Sequence, residues 1–250
     1  MENVYEVEYA GRSVRYSFIF PLTKYYFRGF IRRAQGEEYD IRVSPELFRL
    51  GRELMPEETN DAYLEYRLLI ELTEQLLLDG GCCMFHSVAF TLGGRAWLLT
   101  APSGTGKTTQ YLNWQRLFPG EIEMICGDMP VLELTHEGVR VHATSWCGKE
   151  NFGTKSLSAP LGGIVLLEQA GENELTPMEP HDAIFPFFTQ FLVRPETEER
   201  ILALAALMDA MLSTPLMRFC NLGDDASTEM LRTNILMTLE GTKGAANGEV

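Results

Sequence analysis

The chain has little of what marks a membrane, metal-bound or nucleic-acid protein. No apolar run reaches the length a bilayer requires, and Met1-Glu2-Asn3-Val4 does not open a signal peptide. The expected setting is therefore cytoplasmic, with no membrane partner. Cysteine is sparse: Cys82, Cys83, Cys126, Cys147 and Cys220 are odd in number and follow no paired metal spacing. Adjacent Cys82 and Cys83 would point to opposite faces of a strand, which argues against a local zinc pair. All five read as reduced thiols, most of them buried. Basic residues are scarce too, 21 Lys and Arg against 35 Asp and Glu, for a formal net charge of −14. A surface of that sign repels phosphodiester backbones, so no nucleic-acid partner is expected. Lys24, Arg28, Arg32 and Arg33 do cluster, and read as a solvated face with local ion pairs. Internal repeats are lacking as well.

What is present is an ordinary globular composition, 45% hydrophobic and 22% charged. The pattern divides the chain into an N-terminal strand and helix region (1–81), a core (82–240) and a small polar tail (241–250) expected to fray. Strands are predicted at 4–9 and 13–20 around a turn at Ala10-Gly11-Arg12, with a short one at 39–43. A helix starts at Asn60-Asp61 and stops at Gly80-Gly81, with Leu64, Leu68, Leu72 and Leu76 as its core stripe. Residues 86–91 and 95–100 form a hairpin across Gly93-Gly94. A helix over 107–117 follows, then strands at 122–126, 131–134 and 139–143, and a strand at 163–167 buried on both faces. Helix 196–212, strand 217–221 and helix 226–239 close the chain. The fold class is α/β with a mixed sheet.

One stretch carries chemistry: Ala101-Pro102-Ser103-Gly104-Thr105-Gly106-Lys107-Thr108, between a strand and a helix. Gly104 and Gly106 let backbone amides converge on anionic oxygens, and the first helical turn adds partial positive charge. Ser103, Thr105 and Thr109 complete the loop. Lys107 would sit on the β- and γ-phosphates, and the Thr108 hydroxyl would reach Mg²⁺. The ligands implied are a nucleoside triphosphate, ATP, and Mg²⁺. The first glycine of the pattern is Ala101 here, a loss that removes no phosphate-facing amide. No Asn-Lys-x-Asp occurs to read guanine, and no hydrophobic run ends in Asp-Glu. A switch GTPase and a mechanical ATPase are both disfavoured.

Three pieces together resemble the family of HPr kinase/phosphorylases and ATP-dependent phosphoenolpyruvate carboxykinases: Ser103-Gly104-Thr105-Gly106-Lys107-Thr108-Thr109, His86 before the hairpin that feeds the loop, and Ile125-Cys126-Gly127-Asp128 after the loop helix. The resemblance implies a mixed-sheet P-loop core of the HPr kinase C-terminal type. Trp146-Cys147-Gly148-Lys149 with Pro160-Leu161-Gly162-Gly163-Ile164 is similar to the small members found beside modified-peptide biosynthesis genes. Some of those are thought to phosphorylate a peptide serine. The family's second acidic residue is Met129 here, so either Asp128 takes metal or base duty alone or the site is weakened. The carboxykinase substrate arginines have no counterpart, and decarboxylation is not expected.

Each candidate has a bland alternative. Asp128 either orients the accepting hydroxyl or holds Mg²⁺, or it is a turn aspartate before Pro130. His86 is a ligand or phosphate contact, or a hydrogen-bonded core histidine. Lys149 neutralises the transferring group, or is merely exposed. Trp146 stacks on a substrate or is buried; Cys147 is read as structural, and Arg194 and Arg218 are generic anion contacts. The expected activity is ATP-dependent phosphoryl transfer to a hydroxyl acceptor, a peptide or protein serine. A nucleotide-binding scaffold and a small-molecule kinase are the alternatives, and self-association is left open.

Overall fold

The computed structural model describes residues 4–33, 39–148, 156–193 and 195–246, with the backbone alone for 28, 32, 33 and 242–246. Alternation at the start of the chain builds a hairpin, β1 (Val4–Tyr9) against β2 (Arg12–Ser17), with Tyr9 opposite Arg12. A two-residue turn of this hand needs left-handed backbone at both positions, and Ala10 (φ 48°) and Gly11 (φ 76°) supply it. After α1 (Lys24–Phe27), β3 (Arg32–Arg33) and β4 (Tyr39–Ile41) flank the hairpin in a sheet of order β3-β1-β2-β4.

Two helices cover this sheet. The first, α2 (Pro45–Leu54), was not expected; Ser44 caps it and Pro45 opens it. Its Gly51 lets it lie against α3 (Asp61–Asp79), since a Cβ there would come within 3.1–3.2 Å of Leu64 and Leu68. Asn60 caps α3 through the Ala62 amide, and Gly80 ends it. The expected leucine stripe holds only at its start: Leu64 and Leu68 are buried, while Leu72 and Leu76 are half-buried. An every-fourth-residue line drifts by about 40° per step around a helix, so burial passes to Leu69, Thr73 and Leu77.

The core begins with β5 (Cys82–Met84), β6 (Ser87–Leu92) and β7 (Arg95–Thr100), the last two joined by left-handed Gly93 and Gly94. Then come α4 (Lys107–Leu117), β8 (Glu123–Cys126), β9 (Val131–Thr135), β10 (Gly138–His142) and β11 (Ser158–Gln169). Next are β12 (Glu174–Pro177), α5 (Pro180–Phe188), α6 (Glu198–Leu212), β13 (Leu216–Asn221) and α7 (Asp225–Ala246). The sheet order is β5-β9-β10-β11-β7-β6-β8, with β13 on β11 and β12 on β13. It is a mixed sheet: β11 is parallel to β7 and β13 but antiparallel to β10. The register shifts at Leu161/Gly163, where a Cβ on Gly163 would lie 2.5 Å from the Trp97 ring.

Strand alternation sorts side chains into layers. Ala89, Ala96, Leu98, Ile164 and Leu166 face α5 and α6, while Val88, Phe90, Trp97, Leu99 and Val165 face α4 and α7. Cys82 and Cys83 fall on opposite faces as expected, and none of the five cysteines forms a disulfide among the described residues. The last helix runs on to Ala246 rather than stopping at Leu239. No helix among the described residues is long and apolar enough to cross a membrane.

Two buried glutamates on α3 have opposite circumstances. Glu65 accepts from the amides of Ile19 (2.5 Å) and Phe20 (3.0 Å) and from Thr23 Oγ1 (2.5 Å), fixing the turn that leads into α1. Glu65→Ala should cost roughly 2–5 kcal/mol by orphaning those donors, a loss readable in a denaturant titration. Glu74 Oε1 has no partner, and burial raises its pKa from 4.5 to about 8. The folded protein therefore holds this proton more tightly than the unfolded chain, so stability present below the ordinary value is lost as pH rises to about 8. Glu74→Gln should raise the melting temperature at alkaline pH, and the advantage should fade towards pH ~5.

Candidate functional site

Residues 82–89 and 126–133 run side by side in one antiparallel register across both halves of the sheet, and the register shifts at Ala89/Phe90 beyond them. Met84 pairs with Val131, the Phe85 amide donates to Pro130 O and the Ser87 amide to Asp128 O, and Ala89 pairs with Cys126. His86 and Asp128 sit where this ladder crosses from β5–β9 to β6–β8. Here His86 Nε2 lies 3.4 Å from Asp128 Oδ1.

The histidine is held on its other side by Gln190, which sequence reading missed. The His86 amide donates to Gln190 O, and Nδ1 meets Gln190 Oε1 at 2.9 Å. Gln190 Nε2 donates to Thr189 Oγ1, whose own hydroxyl donates to Pro186 O. This chain orients the amide so that its oxygen faces Nδ1, which must carry a proton. Nε2 is thereby left to Asp128. No local motif marks Gln190, because it follows a helix containing Pro186 that reads as broken.

The glycine loop leaves β7 at Ala101 and enters α4 at Gly106. Gly104 (φ 85°) and Gly106 (φ 107°) both need the left-handed region, and open space surrounds both: a Cβ on either would meet nothing within 4 Å. Ala101 is buried in the layer under α4 and needs no positive φ, which explains why a glycine is dispensable there. Thr105 Oγ1 donates to Pro102 O. Thr108 is half-buried in the first helical turn, while Ser103 and Thr109 are exposed. Lys107 is buried, and its Nζ donates to Ala101 O (2.8 Å) and Pro102 O (3.3 Å). Desolvation lowers its pKa, opposed by the charge of Asp128. The start of α4 is pinned by Gln110, which bonds Asn221, Ser227 and Thr228.

His86, Asp128 and Ser103 line one cavity of about 570 Å³, within the size range of small-molecule sites. Tyr26, Tyr63, Tyr66 and Arg67 also line it, three of them on one face of α3. Their spacing of three and four was readable in the sequence, but the leucine stripe drew attention away from it.

Met129 is a core residue. It packs with Met84, Val131 and Trp146, its amide donates to Trp146 O, and Thr144 Oγ1 donates to its carbonyl. A carboxylate there would be buried among apolar groups. Trp146 is buried and stacks on Tyr9 with ring centroids 5.0 Å apart. Cys147 donates to Thr144 O, and the neighbouring Cys126 thiol and burial hold its pKa up, so it stays protonated. Arg218 lies 3.7 Å from Glu168. Lys149 and Arg194 fall outside the described residues.

Among the described residues no group of three or more His, Cys, Asp or Glu is placed to hold a metal ion. A magnesium ion that takes most of its ligands from phosphates and water needs only one or two protein oxygens, which Thr108 and Asp128 offer. The open space over the glycines and the buried Lys107 ammonium, satisfied only by neutral carbonyls, likewise fit an anion.

No protein-family model matches the chain, and no curated protein matches it. Among solved structures it is similar to the HPr(Ser) kinase/phosphatase from Coxiella burnetii, at 9% identity and a TM-score of 0.39, covering 67% of this chain and 99% of that one. So distant a likeness says nothing about which residues act.

The buried charge of Lys107 has a stability consequence. Replacing it with a side chain of similar length and no charge, Lys107→Met, should raise thermal stability by about 1 kcal/mol in the absence of ligand. A melting scan of the two proteins without nucleotide checks the sign.

Proposed function

We propose that the protein is an ATP-dependent kinase that transfers a phosphoryl group to a hydroxyl acceptor, a serine on a peptide or protein. The observation that carries this reading is the juxtaposition of His86 and Asp128 with the glycine loop around one cavity. In this reading the amides of residues 103–108 and the Lys107 ammonium hold the phosphates, and Thr108 and Asp128 hold Mg²⁺. ATP supplies the γ-phosphoryl group. Asp128 accepts the proton of the attacking hydroxyl, and His86 Nε2, left without a hydrogen by the Nδ1–Gln190 bond, then accepts that proton from Asp128. Asp128 performs this work without the carboxylate that the resembling family carries at the position of Met129. Lys149 is the further cation assigned to the transferring group.

Incubation with γ-labelled ATP, Mg²⁺ and candidate peptides tests the proposal. Label should appear on a serine and fall by at least ~10³-fold in Lys107→Ala and in Asp128→Asn. Transfer that survives either substitution would overturn the assignment. A nucleotide-binding scaffold is the second reading, favoured by the burial of Met129; tight ATP binding with no transfer to any acceptor selects it.

A further inference from the structure

Three tyrosines line the cavity alongside His86, Asp128 and Ser103. Tyr26 belongs to α1, and Tyr63 and Tyr66 to the first turns of α3. Their rings form one cluster. Tyr26 stacks on Tyr66 with centroids 5.0 Å apart and tilts against Tyr63 at 5.6 Å, and Tyr63 lies 6.1 Å from Tyr66. Two other tyrosines of the N-terminal region show what a structural role looks like here. Tyr9 and Tyr16 are fully buried, and their hydroxyls bond Ser145 and Thr73. By contrast Tyr26 and Tyr66 are half-buried, and Tyr63 is 38% exposed. Aromatic surface left open beside a cavity gives up burial that a ligand would restore.

The cluster reaches the reacting end of the site. Burial, the Cys147 thiol and the Asp128 carboxylate all raise the pKa of the Tyr66 hydroxyl. The phenol oxygen itself, and not merely the backbone of α3, therefore stands within the field of that carboxylate. Asp128 in turn acts on the Lys107 ammonium, whose place in the glycine loop is against the β- and γ-phosphates. Of the loop and its helix, the cavity takes Ser103 but neither Thr108 nor Thr109. It thus continues past the terminal phosphate, on the side from which an acceptor would approach.

The lining also limits the charge of that acceptor. Apart from His86, its charged side chains are one arginine, Arg67, and one carboxylate, Asp128, so neither sign is in surplus. Tyrosine rings receive a neutral aromatic group well, by stacking and by edge-on contact. A cation is also drawn to such rings, but Arg67 shares the cavity with them and repels it.

We propose that Tyr26, Tyr63 and Tyr66 form a subsite for an uncharged aromatic side chain next to the accepting hydroxyl, so that the acceptor is a serine flanked by an aromatic residue. The role of that ligand as acceptor rests on the phosphotransfer reading, whereas the subsite itself rests on the open ring cluster.

Calorimetry with the full chain tests it, using acetyl-Ala-Ala-Phe-Ser-Phe-Ala-Ala-amide and its counterparts with Ala or Lys in place of both Phe. The Phe peptide should bind about tenfold or more tightly than either counterpart. Tyr63→Ala, at the exposed edge of α3, should reduce the preference for Phe over Ala about fivefold and leave ATP affinity unchanged. Tyr63→Leu, which keeps apolar bulk without the ring, should fall between. Equal binding of the Phe and Ala peptides, binding of none, or tighter binding of the Lys peptide would overturn the subsite. An unchanged preference in both Tyr63 variants would do the same. Weaker ATP binding in Tyr63→Ala at an unchanged melting temperature would also overturn it, by placing the cluster on the base. Labelled ATP separates the two readings. Selective binding of the Phe peptide with no transfer to any peptide would remove the kinase and leave the subsite standing. Transfer to the Phe and Ala peptides at equal kcat/KM would keep the kinase and remove the subsite.

Discussion

The antiparallel pairing of residues 82–89 with 126–133, which keeps one register from Cys82 to Ala89, is the constraint on which the rest of the site depends. Sheet register is a two-residue property: a slip of one residue would turn His86 and Asp128 to opposite faces. Cys83 and Ile125 are buried in one layer and Val88 and Met124 in another, so a slip would force both closely packed layers to exchange side chains of different volume. Hydrophobic burial in three layers thus sets the position of two half-buried polar side chains. Met129 belongs to the same logic, anchoring the backbone between Asp128 and Pro130.

The N-terminal region contributes the opposite wall. Arg12 links the hairpin to the end of α3 and to the core sheet, donating to Gly80 O at 2.6 Å and pairing with Glu133 at 3.4 Å. Glu65 fixes the turn into α1. Tyr9 stacks on Trp146, and Phe27 meets the same ring edge-on. The aromatic wall of the cavity is therefore an extension of this packed layer. Substitutions in the first seventy residues should reach this aromatic side of the cavity before they reach the glycine loop.

Much of the core was legible because its signals are local. Glycines at fixed spacing, a two-glycine hairpin turn and capping residues act over a few positions, so the loop, β6, β7, α3 and α4 could be read directly. The missed helices each carried a contradictory residue. Gly51 interrupts α2 but serves close packing, and Pro186 lies inside α5 without ending it. The cavity was illegible for a different reason. Tyr26, Arg67, Asp128, Trp146 and Gln190 come from distant parts of the chain, and nothing local in the sequence ties them together. His86 and Asp128 were each singled out by resemblance, but their contact was not, and Gln190, which orients the histidine, left no trace.

Strand β11 belongs to both halves of the sheet. Its first residues pair with β10, and its later ones lie between β7 and β13. Near its end, Gln169 donates to the carbonyl of Gly104 in the glycine loop. A single strand of twelve residues spans on the order of 40 Å, so the two half-sheets share one continuous strand, irregular only at Leu161/Gly163 where its pairing with β7 shifts. Among the described residues no break in this strand separates them. A displacement of one half-sheet against the other would therefore have to bend or break a strand that both of them share.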